Sequence, residues 1–301
     1  MTKFNQTYPI TLKYTDWQLI ADFVRVSNLQ VSSQDIPVLL QLRELSRFRY
    51  WLVDQRGDCK RKLLTILDRV FPEYESLFSN VFLQSSRTLL KEAVSAQEFA
   101  DFDLQQLTEV LSRSSRGHFG VDKAEQLQQQ ARQSIGVGFL ANAAQLEMRC
   151  LLNQIELLEA QQDQVEQALA HLMQQIPQYI TSIPGSALST GAALLSEIGD
   201  VARFDNEEKL IAYAGIDATV YQSGQFQASE AHMSKRGSPY LRHALWQAAF
   251  MAIRYDPELQ AYYQRKRAEG KAHGTALGAV CRKLLVRIYV VLKEKRPYII
   301  R

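Results

Sequence analysis

The chain has 301 residues, enough for two domains of ordinary size or one large one. Apolar residues make up 46% and charged residues 22% of it, which excludes wholesale disorder. The net charge of +3 hides a split: residues 235–301 hold 15 Lys and Arg against 4 Asp and Glu, whereas the preceding 234 residues hold 20 against 28.

An acidic body with a basic C-terminal segment points to a polyanionic partner, DNA or RNA; a solvated basic face is the bland alternative. Cys59, Cys150 and Cys281 share no metal or redox spacing, which fits a reducing cytosol. The N-terminal MTKFNQTYPITLKY has no apolar core of a signal peptide. Arg287 and Lys293 break the apolar run near the C-terminus, so no membrane partner and a cytoplasmic location are expected.

Gly and Pro are sparse, 14 and 8, and long stretches keep helical period, so the fold is expected to be mainly α. Residues 16–27 read as a short amphipathic helix with Leu19, Ile20 and Phe23 on one side. Asp35 and Pro37 start a second helix, whose stripe (Val38, Leu42, Leu45, Leu52, Leu63, Leu67, Val70) runs to Phe71-Pro72. Its polar face carries Arg43, Arg47, Arg49, Arg56, Lys60, Arg61, Lys62 and Arg69, either a track for backbone phosphates or a solvated face.

After a polar helical stretch (75–133), Ala144, Met148, Leu151, Ile155, Leu158, Gln162, Val165, Leu169, Leu172 and Ile176 form a heptad seam that Pro177 ends. Residues 35–71 or a second subunit can fill that seam, and self-association through the coiled coil is the expectation. Next, 183–204 reads as turn, helix, turn. Ile183-Pro184-Gly185 resembles the turn of a helix-hairpin-helix, which offers amides to a phosphate, although Ala187 stands where that motif has its second glycine. A purely structural hairpin fits equally well.

Residues 218–228 break the helical pattern, with Ser223-Gly224 as a hairpin turn flanked by Val220, Tyr221 and Phe226. Lys235-Arg236-Gly237 then opens a helix at Ser238-Pro239, a strong start signal. Free amides there, with Lys235, Arg236 and Arg242, make a candidate anion site. The last helices carry Arg265, Lys266, Arg267, Lys271, Arg282, Lys283 and Arg287. His118, His171, His232, His243 and His273 have no metal spacing.

The runs LIAYAGIDATVYQSGQF and SKRGSPYLRHALWQAA resemble the C-terminal domain of the DEDD-type insertion-sequence transposases. That family includes the Piv invertase and the bridge-RNA-guided recombinases. IPGSALSTGAALLSEIGDVARF, HGTALGAVCRKLLVRIYVVL and the arginine-rich LRELSRFRYWLVDQRGDCKRKLLTILDRVFPE match in the family's order, so the resemblance covers nearly the whole chain.

The resemblance implies a DNA transposase or site-specific recombinase, with DNA and a guide RNA as partners. It implies Ser223 as the nucleophile attacking a DNA phosphodiester, with Ser234 as runner-up. It also implies an N-terminal RuvC-like (RNase H-type) domain whose Asp, Glu, Asp and Asp hold Mg2+. Here Asp16 matches the last carboxylate, Lys13 stands where the third belongs, and the first two would lie before Met1. The sequence therefore reads as a truncated, impaired member of the family, or as a non-catalytic nucleic-acid-binding or dimerisation remnant. The DNA- or RNA-binding set is Arg43, Arg47, Lys60, Arg61, Lys235, Arg236, Arg242, Arg265, Lys266, Arg267, Arg282 and Lys283. The fold expected is mainly α. It would have a remnant of an RNase H-like domain (1–34), long helices with a coiled coil (35–177), and a helical C-terminal transposase domain (178–301). The last would contain a helix-hairpin-helix-like element and a short β-hairpin.

Overall fold

A computed structural model describes residues 36–217, the strand residues 222–223 and 226–227, and residues 233–300. Asp16, Lys13, the helix expected at 16–27 and the RuvC-like remnant lie outside the described residues. What is described is mainly helical, and no helix in it is long and apolar enough to cross a membrane.

Two long helices form the frame: α1 (Ile36–Val70, 35 residues) and α6 (Ala141–Gln174, 34 residues). α1 stops where Phe71-Pro72 predicts, because proline cannot continue the hydrogen-bonded ladder. The two pack along their lengths and run antiparallel. Arg49 pairs with Glu166 at 2.7 Å, Arg56 with Glu159 at 3.8 Å, and Arg69 with Glu147 at 3.6 Å, so each step along α1 is matched by a step back along α6. The heptad seam is thus filled by α1 of the same chain, one of the two partners that the sequence allows.

Seam residues Ala144, Met148, Ile155, Val165, Leu169 and Leu172 are buried. They do not join one core. Up to Ile155 they pack with Leu63–Val70 of α1, with Phe71 beyond it, and with the short helices α2 (Gln84–Glu92), α3 (Ala96–Asp101), α4 (Leu104–Ser114) and α5 (Val121–Arg132). From Val165 on they pack with Leu42–Leu52 of α1 and the C-terminal helices. Gln162 sits at the division, and its Nε2 donates to Glu166, the carboxylate that Arg49 also holds. The polar break in the seam marks the place where two apolar cores meet.

The C-terminal helices are α7 (Leu188–Ile198), α8 (Glu207–Ala214), α9 (Pro239–Tyr255), α10 (Pro257–Ala268) and α11 (His273–Glu294). Alanines 244, 248, 249 and 252 line the buried side of α9, which lets neighbouring backbones approach closely. Gly185 shows how closely: at φ 90°, a Cβ there would lie 2.1 Å from the Ala248 carbonyl oxygen. The Pro184-Gly185 turn therefore packs on α9. A single 3-10 turn, Ile180–Ser182, precedes it where a helix-hairpin-helix has its first helix. Strands β1 (Gln222–Ser223) and β2 (Phe226–Gln227) pair antiparallel, Ser223 opposite Phe226. Ser223 lies in a strand, one place short of the turn expected to contain it.

Candidate functional site

The site begins where α8 ends. Gly215 closes that helix in the left-handed region (φ 66°), the usual glycine stop. Apart from the two strands, the described residues break off after Asp217 and resume at Met233. Two backbone bonds close this neck: Lys235 N–H donates to the Gly215 carbonyl at 3.0 Å, and Ser234 N–H to the Asp217 carbonyl at 2.9 Å. The Ser234 hydroxyl donates to the Asp217 carboxylate. Both ends of the segment that carries Ser223 are therefore held at one place.

The basic turn is locked from below. A Cβ on Gly237 would lie 1.8 Å from the Tyr213 carbonyl oxygen, and one on Gly215 would lie 2.6 Å from the Gly237 nitrogen, so only glycine lets these backbones meet. Arg242, from the first turn of α9, donates through Nη1 to the Gly237 carbonyl (2.9 Å) and the Ala214 carbonyl (3.2 Å). Arg242 thus ties the turn to the end of α8. Lys235 adopts φ 54°, a left-handed conformation that costs a non-glycine residue of order 1–3 kcal/mol and recurs at functional sites. Lys235 and Arg236 are exposed, and neither pairs with an acidic group among the described residues.

Ser238 caps α9 as its sequence predicts, accepting the Leu241 N–H at 3.2 Å, and Pro239 has no N–H to offer. The cationic side chains, more than the helix amides, are what this end presents to an anion. Ser238 also donates to Glu197 Oε2 at 2.8 Å. Glu197, buried at the end of α7, receives Arg47 of α1 on both oxygens (2.7 and 3.1 Å). The hydrogen bond to Glu197 raises the Arg47 pKa above its ordinary value. The Arg47 guanidinium lies over the Tyr240 ring, 4.6 Å from its centroid.

The other candidate residues fall into three groups. Arg43 donates to the Ser196 carbonyl at 3.0 and 2.8 Å, so with Arg47 it serves the α1–α7 contact. Lys60 sits over the Phe82 ring and Arg61 pairs with Asp58 on the same helix. Most of the expected arginine track on α1 is thus engaged within the chain: Glu147, Glu159, Glu166 and Glu197 supply its counter-charges. On the C-terminal helices Lys266 pairs with Glu269 and Lys283 with Glu258, whereas Arg265, Lys271 and Arg282 are exposed without a described acidic partner. Arg282 is one turn from Gly278, which the Met233 side chain approaches, so it shares a face of α11 with the neck.

Sequence reasoning brought Ser234, Lys235, Arg236 and Arg242 to one place but passed over Asp217, Tyr213 and Glu197. The available signal was an aspartate two residues past a helix-ending glycine. Among the described residues, no three His, Cys, Asp or Glu side chains converge to hold a metal ion. The Mg2+ expectation rests on Asp16, outside the described residues, and the described part does not fit a metal centre.

Residues 177–264 match the family model described as "Transposase IS116/IS110/IS902 family". The IS110 insertion-element 43.6 kDa protein of Streptomyces coelicolor is 34% identical over 119 residues, 40% of this chain and 29% of that protein. The "Pilin gene-inverting protein" of Moraxella bovis is 32% identical over 121 residues, 40% of this chain and 37% of the relative. The IS900 insertion-element 42 kDa protein of Mycobacterium paratuberculosis is 32% identical over 120 residues, covering 40% of this chain and 30% of its own length. The match thus spans about a third of these relatives. The family-model match, residues 177–264, takes in the neck, the basic turn and α9. Over residues 177–264 the chain is thus similar to the insertion-element transposases of the IS116/IS110/IS902 family.

Proposed function

We propose that the chain acts on DNA as an insertion-element transposase or site-specific recombinase, with its chemistry in the segment between Asp217 and Ser234. The observation that carries this reading is the neck itself. It anchors both ends of a serine-bearing segment beside two exposed cations without described acidic partners, inside the matched region. Phosphoryl transfer depends chiefly on stabilising charge at the phosphate, and two fixed cations supply that. A relative whose name records gene inversion supports strand rearrangement as the outcome.

In this reading the Ser223 oxygen forms a bond to phosphorus while the bond from that phosphorus to the neighbouring nucleotide's oxygen breaks. The serine proton leaves, the departing oxygen takes one up, and the DNA stays linked to the protein as a phosphoserine ester. Lys235 and Arg236 hold the phosphate, and Arg242 keeps their turn in place. Arg265, Lys271 and Arg282 extend the contact along the DNA backbone. Asp16 is proposed as a metal ligand. A guide RNA that selects the target and a second copy of the chain complete the proposal; since α1 fills the seam of α6, the second copy docks elsewhere. Lys13, where the family has a carboxylate, makes strand exchange by this sequence weak.

The test uses a supercoiled plasmid carrying the DNA that flanks the chain's own coding sequence. A covalent protein–DNA adduct that disappears in Ser223→Ala is expected. An adduct unchanged in Ser223→Ala would remove Ser223 from the chemistry, and DNA binding without any adduct would favour a non-catalytic binding role.

A further inference from the structure

Asp217 is an oddity in the site just described. A carboxylate placed next to cations that hold a polyanion repels that polyanion, and at an exposed surface its loss alone strengthens DNA binding. Three features of the neck oppose that simple expectation. Asp217 is half-buried and accepts the hydroxyl proton of Ser234, while its own carbonyl takes the Ser234 N–H at 2.9 Å. The residue after Ser234 is the strained Lys235, at φ 54°. The residue after Arg236 is Gly237, seated against the Tyr213 carbonyl with no room for a side chain.

The two cations are therefore suspended between two fixed points: the Asp217–Ser234 pair on one side and Gly237 with Arg242 on the other. Releasing the first point lets Lys235 relax from the left-handed region, which re-aims the side chains that follow. We propose that Asp217 is a positioning residue: by holding Ser234 it fixes the left-handed Lys235, so that Lys235 and Arg236 engage the DNA backbone together. This rests on the DNA-binding reading above.

The sign of one measurement separates positioning from plain electrostatics. Affinity for a mixed-sequence 30-base-pair duplex is measured across a salt series for the wild-type chain, Asp217→Ala, Ser234→Ala and Ser234→Thr. The same series is run with Lys235→Ala/Arg236→Ala, and with that double variant combined with Asp217→Ala. Asp217→Ala removes a negative charge together with the acceptor for the Ser234 hydroxyl, and is expected to weaken binding and to lower the slope of log K against log salt by up to about 2, close to one per lost phosphate contact. Ser234→Ala is expected to do the same and Ser234→Thr to restore binding. In the Lys235→Ala/Arg236→Ala background, Asp217→Ala is expected to have no further effect, the signature of groups that act as one unit. Tighter or unchanged binding by Asp217→Ala, or an additive loss in the combined variant, would overturn the proposal. A wild-type chain without salt-dependent binding would instead remove the underlying DNA reading, and the positioning role with it. Melting temperatures of all variants separate a loosened neck from an unfolded chain. Should Asp217→Ala not fold, Ser234→Ala against Ser234→Thr carries the same comparison.

Discussion

Glu197 is a carboxylate at 1% exposure, held by Arg47 from α1 and by Ser238 at the start of α9. Removing it takes the carboxylate from the Arg47 guanidinium, whose side chain is 38% exposed, and the acceptor from the Ser238 hydroxyl, a loss discounted by solvent to about 1–2 kcal/mol from that of a fully buried pair. Glu197→Ala is expected to lower the unfolding free energy by that much, and Glu197→Gln by less, since the amide oxygen still accepts. Thiol reactivity divides along similar lines. Burial pushes the Cys281 thiol up to about 12, whereas Cys150 is exposed on α6. Brief alkylation of the native protein at pH 8, read by mass spectrometry, is expected to label Cys150 and to spare Cys281. Rapid modification of Cys281 would place α11 outside the core. At this scale the cap was legible: Ser238 and Pro239 do what their residue types predict. Glu197 was not, because a glutamate in an apolar helix shows its role only when Arg47, 150 positions away, arrives.

Among the elements, α1 and α6 show how far a periodic pattern reaches. The stripe of each was readable, as was the stop at Phe71-Pro72, but a stripe names no partner. Glu147, Glu159 and Glu166 facing Arg69, Arg56 and Arg49 decide it, and that match emerges only when the helices are laid antiparallel. For the same reason the arginine face read as a phosphate track. Truncating a seam residue tests the packing: Ile155→Ala is expected to cost about 2–5 kcal/mol in urea unfolding, the range for emptying a well-packed core site. The ion pairs give a pH signature. The hydrogen bond from Arg87 of α2, foremost, holds the Glu159 carboxyl below the usual carboxylate range, with Arg56 adding to it. A depressed folded pKa stabilises above the unfolded value, near pH 4.3, and that contribution fades as pH falls through the folded value. The melting-temperature gap between the wild-type chain and Glu159→Gln is expected to be widest near neutrality and to close below about pH 4. A gap independent of pH would mean that Arg87 and Glu159 do not pair in solution.

Among the described residues, the modest net charge resolves into a body whose arginines are largely paired and a C-terminal part that keeps exposed cations without a described acidic partner. The sequence showed the imbalance but not which cations were already engaged, since pairing is a property of the folded chain. It also led to the neck without revealing its construction: Gly215, Gly237 and Asp217 acquire roles only through backbone contacts between segments twenty residues apart. The most direct test of the central claim is DNA affinity at two salt concentrations after charge reversal at the neck and, as control, on α1. Lys235→Glu/Arg236→Glu is expected to abolish binding to a duplex that the wild-type chain holds at 50 mM salt and releases at higher salt, whereas Arg61→Glu leaves it nearly unchanged. Full-strength binding by the Lys235→Glu/Arg236→Glu chain would contradict the account.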